Sequence, residues 1–389
     1  MLDLSSLPVV DVHCHPFIKH DTLTADQFLD IVSFPGGGVD FLVEGGMPVE
    51  AATRQVRRVR QNVVYYRYLV RQLAVFFECD PTIEAIVEAR NEAAGDFWGY
   101  VKQLYAACGL TAMVADFGYP KPPLDVTQFK TDAPIEVVPI YRIETFIDYW
   151  LDKDISWAEF RRSLDDTIAH ALEHEGFRGL KSIIAYRTGL DVSPLSRTPD
   201  QGMQAWTAIR RGVGNYKQLR DHLLCRALEL CLEYDVPMQI HTGMGDYEVN
   251  LMECRPALLM DLLRFPTFRA CKVLLVHTGY PYHAEAGYMA NMLPQVYCDV
   301  SEGIPFAANA ARRIYAEVLE MAPLSKVTYG ADGYVVPEIA YVGAMLGKTA
   351  LGQMLEELVV NDMLTRAEAF EAAGWILAGT ARRLYGLDD

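Results

Sequence analysis

Residues 9–15 read Val9-Val10-Asp11-Val12-His13-Cys14-His15. Three valines around one carboxylate make a short apolar run whose β-branched side chains favour extended backbone. Residues two apart on a strand share a face. His13 and His15 therefore project together from the end of this strand, while Cys14 turns to the other side.

Runs of the same kind recur along the chain. With Pro8–His15 they are Thr111–Gly118, Ile135–Ile143, Gly179–Ala185, Val236–Thr242, Cys271–Gly279, Gln295–Val300 and Lys326–Asp332, eight in all. Helix-like stretches separate the later ones: Tyr216–Tyr234, Arg255–Leu263, Ala284–Leu293 and Ala307–Met321. Alternating strands and helices predict a parallel sheet with right-handed crossovers. Eight such units predict closure into a (β/α)8 TIM barrel, with residues 1–389 as one domain. After the eighth strand, Glu338–Leu387 reads as helical throughout and ends in the amphipathic Trp375–Tyr385. No repeat, low-complexity segment or linker divides the chain.

Two spacings are long. Residues 19–108, after the first strand, read as a helical insertion that includes the run Val49–Phe77, and the Gly/Ser/Pro-rich stretch Thr188–Gly214 follows the fourth strand. Insertions after barrel strands lie over the C-terminal face, where active sites are built. Residues 19–108 are thus a candidate lid, with a decorating subdomain or an oligomer contact as the alternative. Arg54, Arg57, Arg58, Arg60, Arg67 and Arg71 make its helix basic, which reads as a solvated face or as pairing with nearby acids.

Composition excludes several classes. Half of the 389 residues are hydrophobic (51%) and 22% are charged, which is ordinary globular usage with enough apolar residues for a large core. The net charge of −16 would repel nucleic acid and anionic membranes. No apolar run approaches the roughly 20 residues of a membrane span, and the N-terminus lacks the pattern of a signal peptide. The eight cysteines are scattered without a C-x-x-C pair, so a reduced cytoplasmic setting is expected. The expected partner is a small-molecule substrate, and the expected assembly a homo-oligomer.

The chemistry lies in where the polar residues fall. Lys181 sits in the fourth strand (Gly179-Leu180-Lys181-Ser182), His241 ends the fifth (Gln239-Ile240-His241-Thr242-Gly243), His277 ends the sixth (Leu275-Val276-His277-Thr278-Gly279), and Asp332 ends the eighth (Tyr329-Gly330-Ala331-Asp332-Gly333). Imidazole and carboxylate suit Zn²⁺, Mn²⁺ or Fe²⁺. A catalytic site leaves a coordination position open for water, and the metal acidifies that water. A neighbouring carboxylate can then move the proton. Taken singly, a strand-end histidine is more often structural, and Asp332 could simply cap the next segment. Taken together, four of the nine histidines and an aspartate at the ends of strands one, five, six and eight point to a divalent metal site.

At these residues the sequence resembles the amidohydrolase superfamily, whose signature is H-x-H on strand one, His on strands five and six, and Asp on strand eight. The local wording is similar to the amidohydrolase-2 branch. Leu180-Lys181-Ser182-Ile183-Ile184-Ala185-Tyr186-Arg187-Thr188-Gly189-Leu190 and His277-Thr278-Gly279-Tyr280-Pro281 resemble the hydrolase-like domain that some eukaryotes fuse to a glutamine-synthetase-like domain. No such second half is present, so a free-standing form is expected. The resemblance implies His13, His15, Lys181, His241, His277 and Asp332 as the metal set, with Asp332 the proton-transfer group. His277 is implied either as a ligand or as a residue that polarises substrate. Lys181 would bridge two metals if carbamylated, and one-metal members often lack it, so both metal counts stay open.

Tyr141, Arg142, Tyr186, Arg187, Tyr280 and Glu302 fall at strand ends on the same face and are candidate substrate contacts. An arginine there suits a substrate carboxylate, unless Arg142 or Arg187 pairs internally with Glu144 or Asp191. The resulting expectation is hydrolysis of an amide or related C–N bond. One-metal non-oxidative decarboxylation or C–C hydrolysis is the alternative, and a binding module that has lost catalysis is disfavoured because each expected ligand position is filled.

Overall fold

The computed structural model describes residues 1–34, 38–151 and 153–387; residues 35–37 of the expected insertion, residue 152 and residues 388–389 lie outside the described residues. Eight strands pair in parallel and in chain order: β1 (Val9–Cys14), β2 (Leu110–Asp116), β3 (Glu136–Arg142), β4 (Leu180–Ser182), β5 (Met238–His241), β6 (Val273–Val276), β7 (Val296–Asp299) and β8 (Val327–Thr328). Between β8 and β1 the barrel is joined by main-chain hydrogen bonds. The Val12 amide donates to the Tyr329 carbonyl (3.0 Å) and the Asp332 amide to the His13 carbonyl (2.9 Å).

Several strands stop earlier than their apolar runs suggest. After β4 the chain coils into a helical turn, Ile184–Arg187. Beyond β6 and β8 it bends sharply, with His277 at φ 69° and Asp332 at φ 54°. These residues sit on turns above the strands, at the barrel mouth.

The barrel interior is filled from below. Val10, Val12, Val114, Val138, Ile140 and Leu274 pack together with Ala378, Ala381, Leu384 and Tyr385 of the C-terminal segment. Each fully buried aliphatic side chain contributes roughly 1.5–3 kcal/mol. The Tyr385 hydroxyl accepts a hydrogen bond from Gln239 Nε2 at 2.7 Å, which satisfies a polar group on the interior face of β5. The register of β1 shifts between Asp11 and Cys14. That bulge lets Val10 and Val12 face the packed interior while His13 and His15 face the mouth.

The two long helical readings are interrupted. Residues 49–77 form a helix only to Arg54, then a π turn (Gln55–Val59) and a 3-10 turn (Arg60–Asn62), before restarting at Val64. The C-terminal stretch breaks after Val360 and restarts behind Thr365, which forms a capping box with Glu368. The Gly/Ser/Pro-rich stretch 188–214 contains a helix, Pro199–Arg210, started by proline at its first turn and held by buried Ala205 and Trp206.

Within the insertion, α1 (Gly38–Glu44) reaches the barrel mouth, and α2 (Ile83–Ala93) is pinned to α3 (Glu338–Val360). The pin is a fully buried ion pair, Arg90 Nε to Glu338 Oε1 at 3.1 Å, to which the Tyr100 hydroxyl also donates at 2.9 Å. Arg54, Arg58, Arg67 and Arg71 lie exposed, whereas Arg57 pairs with Asp26 and Asp30 and Arg60 is buried. Among the described residues no helix is long and apolar enough to cross a membrane.

Candidate active site

A cavity of about 770 Å³ opens at the C-terminal ends of the strands. His13, His15, Lys181, His241, His277 and Asp332 all line it, as do Arg142, Tyr186, Arg187 and Glu302. Tyr141 and Tyr280 do not. Tyr141 precedes Arg142 on β3 and must face the other way; its ring meets Phe177 edge-on at 5.6 Å. Tyr280 is held in the turn after β6, with its ring edge-on to His283 at 5.2 Å.

Two identical tripeptides, His241-Thr242-Gly243 and His277-Thr278-Gly279, build one side of the site. Both glycines have positive φ (77° and 65°), and a Cβ on Gly243 would lie 2.2 Å from the Gly279 carbonyl carbon. Only glycine permits this approach of the two turns. It brings His241 Nδ1 to 3.1 Å from His277 Nε2. Glu302 joins them from a left-handed backbone position (φ 59°), with Oε2 3.5 Å from His277 Nε2. A non-glycine residue held there costs of order 1–3 kcal/mol.

On the other side, Asp332 Oδ1 lies 3.3 Å from His13 Nε2 and 3.4 Å from His15 Nε2. His15 Nδ1 donates to the Asp116 carbonyl at 3.0 Å, which leaves its Nε2 lone pair turned towards Asp332. Asp332 Oδ1 is buried and receives no hydrogen bond. Ligands about 2.1 Å from a tetrahedral ion stand about 3.4 Å apart, and the observed spacings match. Among the described residues, two groups could hold a metal ion: His13, His15 and Asp332, and His241, His277 and Glu302. The residues present therefore fit a divalent cation.

The protonation states agree. Burial pushes His13 down to about 4 and holds His241 and His277 far below the ordinary histidine value. Burial works against ionisation of Asp332, but the His13 and His15 rings beside it hold its carboxyl well below the usual range. Neutral imidazoles around an ionised carboxylate are the form that binds metal. Lys181 Nζ stands 3.2 Å from His13 Nε2, and burial draws its ammonium down to about 8. Glu302 is pushed up by burial and by the neighbouring Asp332 and Asp246 carboxylates, a sign of crowded negative charge.

Arg142 directs Nε (2.8 Å) and an Nη (2.6 Å) at the same Asp116 oxygen. Glu144, the internal partner considered from sequence, instead accepts from Ser182 Oγ at 2.7 Å. Arg187 is held more loosely, 3.9 Å from Asp148, which is already bound by Arg220 at 2.8 Å; Asp191 is not its partner. Burial opposes ionisation of Asp116, yet Arg142, His15 and Lys181 hold it at about 2. Asp116, Asp299 and Ser301 were not singled out from the sequence. The signal was available, because Asp116 and Asp299 end buried apolar strands in the manner of His241.

Residues 157–387 match the amidohydrolase family, and the chain belongs to it. Protein fluG of Emericella nidulans is 32% identical over 246 residues, which is 60% of this chain and 28% of that protein. The matched segment thus spans under a third of that relative. A Lactobacillus casei ATCC 334 protein, provisionally assigned as a metal-dependent hydrolase, superposes with a TM-score of 0.82 at 25% identity, over 99% of this chain and 98% of its own. The uronate isomerase of Thermotoga maritima shares the fold, with a TM-score of 0.69 at 14% identity over 98% and 95% of the two chains. The molecule is a TIM barrel of the amidohydrolase superfamily.

Proposed function

We propose that the chain hydrolyses an amide or related C–N bond in a small, carboxylate-bearing molecule, with Zn²⁺, Mn²⁺ or Fe²⁺ held by His13, His15 and Asp332. The observation that carries this reading is the buried Asp332 Oδ1, free of hydrogen bonds and 3.3 and 3.4 Å from the Nε2 atoms of His13 and His15. A bound cation would polarise the substrate carbonyl and make water a nucleophile near neutral pH. Asp332 accepts the proton of the attacking water and returns it to the leaving nitrogen. Tyr186 accepts a hydrogen bond from the Asp246 amide (3.2 Å), so its own hydroxyl proton is left to point at a substrate oxygen. Arg187 and Lys121 on the cavity wall supply positive charge for a carboxylate.

The test is an amide panel, N-acyl and γ-glutamyl amides included, run on metal-stripped protein before and after reloading. Amine release that appears only on reloading supports the reading. No gain with any of the three metals overturns it, and CO₂ release without amine moves the protein to non-oxidative decarboxylation.

A further inference from the structure

We infer that Glu302 is a metal ligand, which completes with His241 and His277 a second cation position beside the His13–His15–Asp332 group. The inference rests on the metal dependence proposed above. The Ser301 hydroxyl has one proton and gives it to Asp299 Oδ1, an acceptor only. Its oxygen can therefore only accept from His277 Nδ1, 2.8 Å away. His277 thus carries its proton on Nδ1 and has a bare Nε2. His241 Nε2 faces the Met244 carbonyl at 2.8 Å, which also only accepts, so His241 Nδ1 is bare as well.

Two bare nitrogens then face each other at 3.1 Å, with a carboxylate oxygen 3.5 Å from one of them. Lone pairs gathered at this distance repel unless a cation lies among them. The ligand atoms of the three residues all fall within 4.8 Å of one another, and all three residues are buried. Glu302 Oε2 is itself buried with no hydrogen-bond partner. A buried carboxylate oxygen kept for structure alone would be satisfied by a donor. Glu302 also occupies a left-handed backbone position, and that strain is what delivers its carboxylate to the two histidines.

Two histidines and a carboxylate form a donor set suited to Zn²⁺, Mn²⁺ or Fe²⁺. Each position would then carry its own anion, Asp332 in one and Glu302 in the other. Lys181, between the two groups, is not required to become an anionic carbamate for the second ion to be held.

The experiment is metal stoichiometry by mass spectrometry after equilibrium dialysis of the stripped chain against Mn²⁺ and, separately, Zn²⁺. Wild type is expected to bind two equivalents, and Glu302→Gln one. Visible absorption of the Co²⁺-loaded forms should show loss of one of two bands of comparable intensity. If Glu302→Gln fails to fold by circular dichroism, Glu302→Ala takes its place and should likewise bind one equivalent, and two equivalents in that variant overturn the inference. Two equivalents in Glu302→Gln, or saturation of wild type at one, overturns the inference while leaving the proposed hydrolase intact. Wild type that binds no metal overturns the proposed function itself.

Discussion

The Nδ1 of His277 lies 2.8 Å from the Ser301 hydroxyl, and Ser301 in turn is hydrogen-bonded to Asp299. Asp299 also accepts from the His277 amide at 3.1 Å, so one buried carboxylate fixes both the backbone and the ring of this histidine. Removing such an outer partner typically costs 10–100-fold in metal affinity or activity. Ser301→Ala should therefore lower kcat by roughly 10–100-fold with a small change in KM. Ser301→Thr, which keeps the hydroxyl, should recover most of it. Equal activity in all three forms would show that the ring is held by its packing alone.

Asp332→Asn keeps the shape of the side chain but removes the proton acceptor. Turnover should fall by roughly 10²–10⁴-fold, the usual scale of general acid–base catalysis. Measurements at saturating metal separate this loss from weakened binding. Near-normal turnover under those conditions would assign the proton transfer to another group.

Arg187 and Arg142 should separate on substitution. Arg142 is committed to buried Asp116, and its removal leaves an unpaired interior charge, which costs about 3–5 kcal/mol of stability. Arg187 stands 3.9 Å from an aspartate that Arg220 already satisfies, so it can turn to a substrate. Arg187→Ala should reduce kcat/KM at least about tenfold on a carboxylate-bearing amide, equivalent to about 1.4 kcal/mol, and much less on its neutral ester or amide analogue. Thermal melting should be nearly unchanged. Equal losses on charged and neutral substrates would contradict the assignment.

Asp116 gives a pH signature with a definite sign. Although burial opposes it, Arg142, His15 and Lys181 hold its folded-state value at about 2, below the ordinary 3.8. The stability contributed by the ionised form is fully present above pH 3.8 and is lost as pH falls through about 2. The wild-type advantage over Asp116→Asn should be flat above about pH 5 and shrink by about 2 kcal/mol below it. Denaturant midpoints across that range supply the measurement. A difference that stays constant down to pH 2 would rule out the depressed value.

Much of this site is legible in the sequence because strands have a period of two and end where the mouth begins. His13, His15, Lys181, His241, His277 and Asp332 all reach one cavity for that reason. The same rule, applied strictly, separates Tyr141 from Arg142, since neighbours on a strand cannot share a face. Glu302 was read as a substrate contact, and its approach to His241 and His277 depends on a left-handed turn that no periodicity signals. The joining of β8 to β1 was implied by the strand count, whereas the interruption of residues 49–77 by π and 3-10 turns follows from tertiary packing. In the C-terminal stretch the restart at Thr365 was signalled locally by Thr365-x-x-Glu368, a pattern overlooked within a run that is helical on both sides.

The barrel is joined where the Asp332 amide meets the His13 carbonyl, so its first and last strands meet at the candidate metal ligands. On the ribosome the chain emerges from its N-terminus. His13 and His15 thus leave the exit tunnel before Asp332, which follows only after seven further strands have been made. Until then the nascent protein displays a pair of imidazoles without their carboxylate, on a strand whose one edge is still unpaired. A cation held by His13, His15 and Asp332 would therefore tie the first barrel strand to the last, and its full ligand set exists only once those two strands have met.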